Sequence, residues 1–334
     1  MAFLGDEDSR EVIRWAKELE RHEHLSRLWV ADEHFLRDPW VQLGAIAAVT
    51  MRVSIGICVT DPYIRHPALT AAAAATLHEL SNGRALLGLG AGSTGLPTLG
   101  LTPRSPARAI TECIELCRQL WRESKAFSYE GQQIQFLDDC LDFKPPSVIP
   151  IYVAARGPKM LAVAARLADA VLIGSFVQGL GLDYALKTIG EAEAARDRAM
   201  PHLSRACWVY LSVSPDSAAA QRGAARGLAL AIRSSHKMLT EIGYKLPAEV
   251  LDFVEKSRHT WDADEVNWVV ARLSQELIED LTVAGDPSEC VAKLRRLKDR
   301  GIDEVAILPF APAGGNVRDM VELLFIKVAP ALAA

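Results

Sequence analysis

Two carboxyl groups and an imidazole stand side by side at Asp32, Glu33 and His34. They follow Arg27–Ala31, a short apolar run that predicts a β-strand. A carboxylate beside an imidazole at a strand end can donate or accept a proton, or contact a bound ring system. The alternative is an ion pair on the protein surface.

A second segment has the pattern of an anion-binding turn. Ala154–Leu161 leaves a predicted strand and enters a predicted helix, with Gly157 and Pro158 at the junction. Proline suits the first helical turn because its missing N–H is not needed there, and the N–H groups at a helix start bind phosphate. Arg156 and Lys159 add positive charge. The alternative is an ordinary strand–helix turn.

Four further positions follow predicted strands. Gly174 and Ser175 end one strand and are expected to contribute in the same way. Arg65 lies in the loop after the predicted strand Arg52–Val59, where it can reach an anionic ligand. His66 precedes a proline, and it either caps the following helix or packs against it.

Small residues alternate with larger ones in the third and fourth predicted strands. The small ones are Ser54, Gly56 and Cys58 in Val53–Val59, and Gly88, Gly90 and Gly92 in Arg84–Gly92. If these faces point inward, they leave room for a flat ring system; the alternative is that they relieve crowding. The run from 90 to 95 also matches Gly-x-Gly-x-x-Gly, but Pro97 follows where a dinucleotide-binding helix should begin.

The elements that must position these groups alternate as short apolar runs and longer helical patterns. Eight predicted strands, each followed by a helix, indicate an α/β fold. Eight parallel strands close a (β/α)8 TIM barrel, whose active site lies at the C-terminal strand ends. An open, doubly wound sheet is the alternative. We expect one domain over residues 1–334, with an insert at about 127–146 and extra helices at about 216–280.

The composition narrows the class of partner. A net charge of −5 favours neither nucleic acid nor a membrane surface, and no apolar run reaches the roughly 18 residues of a membrane span. The acidic N-terminus is unlike a signal peptide. Six scattered cysteines without a Cys-x-x-Cys pair indicate buried reduced thiols. We therefore expect a cytoplasmic protein that binds a small molecule and no metal.

Five segments together resemble the luciferase-like superfamily. They are most similar to its deazaflavin-dependent branch, which uses coenzyme F420, and within it to the methylenetetrahydromethanopterin-reductase-like subgroup. They span nearly the whole chain, which makes the combination more specific than any one piece. The segments are Leu28–Phe35, Arg52–Pro67, Leu80–Gly92, Ile151–Leu161 and Leu281–Val291.

The resemblance implies the position of the cofactor. The third strand should contain a bulge with a non-proline cis peptide, Cys58–Val59, that supports the middle of the ring. Glu33 and His34 should line the ring, and the turn at 155–157 should bind phosphate. The full set of implied cofactor contacts is Glu33, His34, Cys58, Val59, Thr60, Gly92, Ser93, Ala155, Arg156, Gly157, Pro158, Gly174 and Ser175.

The resemblance also implies an activity. Reduced deazaflavin would transfer a hydride to a small substrate such as an imine, enone or carbonyl, in a homodimeric enzyme that positions both reactants. Ser93 stands where the sugar-phosphate dehydrogenases of this branch carry a glutamate acid. The proton donor therefore stays open among Glu33, His34 and Asp61.

Other functions fit the same fold. With FMN as the cofactor, the barrel would be a monooxygenase. A barrel that has lost its chemistry would be a non-catalytic binding subunit, and His22–Leu25, in place of the usual Gly-Phe-Asp, fits that alternative. Phosphate-binding isomerases and aldolases use a similar barrel.

Overall fold

The computed structural model describes residues 1–33, 35–92, 95–257 and 261–333. The chain divides into two compact units. The first comprises Met1–Leu172 and Ile189–Leu203, and the second comprises Ile173–Thr188 and Ser204–Ala334. Single-domain organisation stays a prediction.

Strands and helices alternate along most of the chain, as the predicted α/β class requires. The strands are β1 (Ala2–Phe3), β2 (Arg27–Val30), β3 (Ser54–Thr60), β4 (Ala85–Leu89), β5 (Phe127–Glu130), β6 (Gln135–Asp139), β7 (Ile151–Ala155), β8 (Ala170–Gly174), β9 (Ser204–Val213), β10 (Val283–Gly285) and β11 (Glu304–Pro309). The helices are α1 (Ser9–Leu19), α2 (Pro39–Val49), α3 (Pro67–Leu80), α4 (Pro106–Arg122), α5 (Pro158–Leu167), α6 (Gly179–Glu193), α7 (Ser217–Ile242), α8 (Ala248–Lys256), α9 (Ala263–Val270), α10 (Gln275–Leu281), α11 (Pro287–Asp299), α12 (Val317–Leu323) and α13 (Ala329–Ala333).

The first unit is built on a parallel sheet in the order β1-β2-β3-β4-β7, followed by residues 170–172 of β8. These strands are almost entirely buried, which explains their near-continuous apolar sequences. Because parallel strands end at the same edge of a sheet, the segments that follow β2, β3, β4 and β7 gather at one edge. All but two of the candidate contact residues lie on these strands or in these segments.

Helices α1, α2 and α3 begin at caps that the sequence supplies. The side chains of Asp8, Asp38 and His66 accept backbone N–H groups of the first turns. A proline opens α2 and α3, where it leaves no hydrogen bond unmade. His66 is therefore a helix cap, which decides between the two interpretations of that residue.

The predicted insert is an antiparallel hairpin of β5 and β6. Its turn is held by the carboxylate of Glu112, which is 2% exposed. This carboxylate accepts the N–H groups of three consecutive residues, Gln132 at 2.9 Å, Gln133 at 2.8 Å and Ile134 at 2.9 Å. The Arg108 guanidinium, 3.4 Å away, offsets the buried negative charge.

The second unit is organised around β9, which is long enough to pair with two parallel strands. Residues 206–211 of β9 pair with β11, and residues 211–213 pair with β10. The sequence pattern predicts eight parallel strands and misses β10, so that the described residues contain nine. Three residues are too few to show a strand periodicity.

The long helical stretch of the second unit contains α7, α8, α9 and α10. Gly243, at a φ of 115°, ends α7, and Pro247 precedes α8. Asp262 begins α9 with a capping box. None of the described helices combines the length and hydropathy that a membrane crossing requires.

All six cysteines are described, and none forms a disulfide. Five of them are buried, as the sequence predicts. Burial raises the pKa of the Cys58 thiol far above its ordinary value. Cys58 is therefore a protonated packing residue in β3 and does not act as a thiolate nucleophile.

Candidate active site

β3 departs from regular pairing with β4 near its C-terminal end. Ile57 pairs with Leu87, and the next pair joins Thr60 to Leu89. An advance of three residues along β3 thus matches an advance of two residues along β4, which is the geometry of a β-bulge in β3. The peptide bond Cys58–Val59 in this bulge is cis. The family resemblance predicts both features at this position, and both are confirmed.

The glycines of β3 and β4 do not leave an open face. A Cβ added at Gly88 would lie 2.3 Å from the Ile57 carbonyl oxygen, and one at Gly90 would lie 2.4 Å from Val59 Cγ2. A Cβ at Gly56 would lie 2.6 Å from the Trp29 ring. The predicted bare slot is therefore wrong at these positions, because the bulged backbone and a tryptophan ring fill it. The alternative holds: the glycines relieve crowding.

Thr60, immediately after the bulge, carries a buried hydroxyl. The residue is 1% exposed, and its Oγ1 makes no hydrogen bond with any residue that the structure describes. Its carbonyl oxygen accepts the Gly90 N–H at 2.9 Å, so the backbone is fixed. A buried hydroxyl without a partner costs about 1–3 kcal/mol. Such a group fits a ligand that supplies the missing partner.

The turn after β7 fits an anionic group. Gly157 is the N-cap of α5 and offers no side chain to the N–H groups of the first turn. A Cβ added there would meet no atom within 4 Å, so the approach to these N–H groups is open. Ala155 is buried, Arg156 is half-buried, and Pro158 and Lys159 are exposed. β4 alone separates β3 from β7, which puts this turn about 10 Å from the bulge.

Asp61 organises the loop that follows β3. Its Oδ1 accepts the N–H groups of Tyr63 at 2.8 Å and Ile64 at 3.1 Å. Gly92, at a φ of 65°, packs so closely that an added Cβ would lie 3.0 Å from the Asp61 carboxyl. Burial and then the charge of Asp61 raise the pKa of the Tyr63 phenol. Through these two hydrogen bonds Asp61 holds the loop in a turn, and its predicted role as a proton donor stays a prediction.

The predicted acid/base group at the end of β2 is described in part. Asp32 and Glu33 are half-buried, and the Glu33 carbonyl oxygen accepts the Leu36 N–H at 2.7 Å in a tight turn. His34 and Ser93 lie outside the described residues. The roles predicted for these residues stay predictions.

Gly174 and Ser175 lie in the second unit, at the end of β8. Ser175 has a φ of 54°, which is unusual for a residue with a side chain. It is 4% exposed, and its Oγ makes no hydrogen bond with the residues that are described. Its N–H donates to the Trp208 carbonyl oxygen at 2.9 Å. Their role in cofactor binding stays a prediction.

Sequence patterns do not single out Trp40, in the first turn of α2. The Arg65 guanidinium carbon lies 5.9 Å from the centroid of its ring. The indole N–H of Trp40 is buried and has no hydrogen-bond partner in the described ranges. The sequence signal that could have identified Trp40 as a site residue is its place in the first helical turn after Asp32–Glu33, and that signal is weak.

Comparison with known proteins places the chain in a family. The sequence profile of the luciferase-like monooxygenases matches residues 4–304. A 5,10-methylenetetrahydromethanopterin reductase of Archaeoglobus fulgidus is 29% identical over 306 residues, which cover 91% of this chain and 90% of that protein. A phthiodiolone/phenolphthiodiolone dimycocerosates ketoreductase of Mycobacterium bovis is 28% identical over 85% of this chain and 77% of its own length.

Solved structures show the fold. The coenzyme F420 dependent tetrahydromethanopterin reductase from Methanopyrus kandleri superposes with a TM-score of 0.84 at 24% identity, over 99% of this chain and 98% of that one. An F420-dependent secondary alcohol dehydrogenase superposes with a TM-score of 0.77 at 20% identity and the same coverage. The fold is the predicted α/β TIM barrel rather than a doubly wound sheet. The profile match covers most of the sequence, and the chain therefore belongs to the luciferase-like monooxygenase family.

Proposed function

We propose that the chain is an F420-dependent oxidoreductase that transfers a hydride between the deazaflavin and a small organic substrate, an imine, enone or carbonyl. The observation that carries the proposal is the buried hydroxyl of Thr60, which has no hydrogen-bond partner among the described residues and lies directly after the bulge of β3. Relatives named as F420-dependent enzymes or as methylenetetrahydromethanopterin reductases support the choice of cofactor and reaction.

The first unit supplies the groups that would hold the cofactor. Cys58–Val59 would support the ring, and the Thr60 hydroxyl would donate to or accept from it. The first turn of α5, with Gly157 and Arg156, would bind the phosphate through backbone N–H groups and positive charge. When bound, the deazaflavin supplies the hydride; the protein orients the substrate and excludes water.

We propose Glu33 as the first proton donor to test, with His34 and Asp61 as the other candidates. Glu33 follows β2 and is half-buried, whereas Asp61 is 4% exposed and its Oδ1 accepts two backbone N–H groups of a loop. Glu33→Gln should lower the turnover number at least 100-fold and leave F420 affinity unchanged.

We also propose a cytoplasmic homodimer. Helix α2 contains no charged residue, and it exposes Val41, with Met51 just beyond its end. The adjacent helix α3 exposes Leu69 and Leu80. Apolar side chains grouped on neighbouring helices are typical of a subunit interface. Light scattering should give twice the chain mass, and Leu69→Glu should produce monomers, whereas a wild-type monomer at micromolar concentration would contradict the proposal.

Titration with F420 and FMN in parallel tests the function. Quenching of tryptophan fluorescence should report tight binding of F420 and weak binding of FMN, and reduced F420 should be stable in air on the enzyme. The profile that matches the chain is named for monooxygenases. Tight binding of FMN with oxygen-dependent turnover, and no binding of F420, would establish that alternative instead.

A further inference from the structure

Arg65 is a cation that forms no hydrogen bond with the described residues. Among the described residues, four arginines have a buried Nε that makes no hydrogen bond: Arg27, Arg65, Arg205 and Arg272. Arg27 donates to Ser26, Arg272 pairs with Glu249, and Arg205 has a further polar interaction. In the part of the chain that is described, the Arg65 guanidinium lies over the Trp40 ring and forms no ion pair. A half-buried charge without a counter-ion is costly, which favours a ligand of opposite charge.

The indole of Trp40 adds a second unused donor at the same place. Its Nε1 is buried and makes no hydrogen bond with a described residue. Each buried donor without an acceptor costs about 1–3 kcal/mol. Two such donors, one of them charged, are neighbours here, because the guanidinium carbon of Arg65 lies 5.9 Å from the centroid of the Trp40 ring. One acceptor with a negative charge would satisfy both.

The loop that carries Arg65 is fixed before any ligand binds. Asp61 holds its beginning through two backbone N–H groups. The Tyr63 hydroxyl donates to the Arg104 carbonyl oxygen at 3.1 Å. His66 ends the loop by capping α3. Because both ends are anchored, Arg65 is positioned in advance, as a binding residue should be.

We propose that Arg65 and Trp40 bind a carboxylate. A carboxylate has one negative charge and two acceptor oxygens, which match one guanidinium and one indole N–H. The proposal rests on the proposed function, because the carboxylate has two sources there. It belongs either to the glutamyl tail of F420 or to the substrate. Both sources use the same chemistry, and the experiment separates them.

The test measures binding rather than turnover. F420 and its riboside FO, which has the ring but neither phosphate nor glutamates, are titrated against wild type, Arg65→Gln and Trp40→Phe. Glutarate and its uncharged diamide are titrated with and without F420 present. Arg122→Gln is the control, because that side chain is 73% exposed and pairs only with a neighbour, Glu123. Melting temperatures verify that the variants fold.

A tail carboxylate predicts that both variants bind F420 roughly tenfold more weakly and FO unchanged. A substrate carboxylate predicts unchanged F420 and FO, with glutarate bound by wild type roughly tenfold more tightly than by Arg65→Gln, and the diamide bound by neither. Equal binding of every probe by wild type and both variants would overturn the proposal, as would an equal loss in Arg122→Gln. Failure of wild type to bind either deazaflavin refutes the proposed function instead, and the glutarate titration still tests Arg65.

Discussion

Replacing Thr60 by valine should move stability and cofactor affinity in opposite directions. Valine keeps the branched shape of the side chain and puts a methyl group in place of the hydroxyl. Thr60 is 1% exposed and its Oγ1 makes no hydrogen bond with the described part of the chain, so folding buries that group at a cost of about 1–3 kcal/mol. Without cofactor, Thr60→Val should therefore be more stable by about 1 kcal/mol.

The cofactor reverses the sign of the effect. If the hydroxyl meets a polar atom of bound F420, its removal loses about 0.5–1.5 kcal/mol of binding free energy. That loss corresponds to a roughly 2- to 12-fold larger dissociation constant. Stability is measured by urea unfolding of the cofactor-free protein, and affinity by fluorescence titration.

Thr50→Val is the matched control. Thr50 is fully buried in the same unit, but its hydroxyl donates to the Ile46 carbonyl oxygen at 2.8 Å and accepts from Arg84 at 3.2 Å. Thr50→Val should lower the free energy of unfolding by about 1–2 kcal/mol, because it removes these hydrogen bonds, and should bind F420 as wild type does. A Thr60→Val protein that is destabilised like Thr50→Val, or that binds F420 as wild type does, would refute the reasoning.

Four further changes test other parts of the structure. Gly157→Val places its Cβ in open space, so the unfolding free energy should change by less than about 1 kcal/mol. The added side chain would lie beside the proposed phosphate site, so fluorescence titration should find F420 bound roughly tenfold more weakly and the binding of FO unchanged. Gly88→Ala places a Cβ 2.3 Å from a carbonyl oxygen of β3 and should cost more than about 2 kcal/mol in urea unfolding; a neutral result would refute the packing assignment. Glu112→Ala leaves three backbone N–H groups of the hairpin turn unpaired and should cost about 2–4 kcal/mol, with faster proteolysis at that turn. Burial raises the pKa of Glu20, but three backbone hydrogen bonds lower it, and the net pKa lies below the ordinary 4.5. The stability that this carboxylate contributes is therefore present above pH 4.5 and is lost as the pH falls through the lowered pKa. The difference in unfolding free energy between wild type and Glu20→Gln should shrink on acidification, and a constant difference would contradict this assignment.

Much of the fold could be predicted from local patterns. The caps at Asp8 and Asp38, the hairpin insert and the strand–helix turn at Gly157 depend on residues close together in sequence. The bulge and cis peptide at Cys58–Val59 came from family resemblance, since no local pattern of apolar residues encodes them.

The rest depends on contacts between distant residues. The glycines of β3 and β4 look like an open slot until the partners are known. Trp29, 27 positions before Gly56, lies over that glycine, and the bulge of β3 presses on Gly88. Trp40 and Arg65 approach each other across 25 residues of sequence. The periodicity of a sequence does not indicate which side chain packs against which backbone segment. These features could therefore be identified only from the structure.

The central claim is that the bulge of β3 and the first turn of α5 hold a deazaflavin. A crystal structure of the protein with F420 tests it most directly. We predict the ring against Cys58–Val59, the Thr60 hydroxyl about 3 Å from a polar cofactor atom, and the phosphate on the N–H groups after Gly157. A ring bound elsewhere, with Thr60 still unpaired and the phosphate away from Gly157, would contradict the claim.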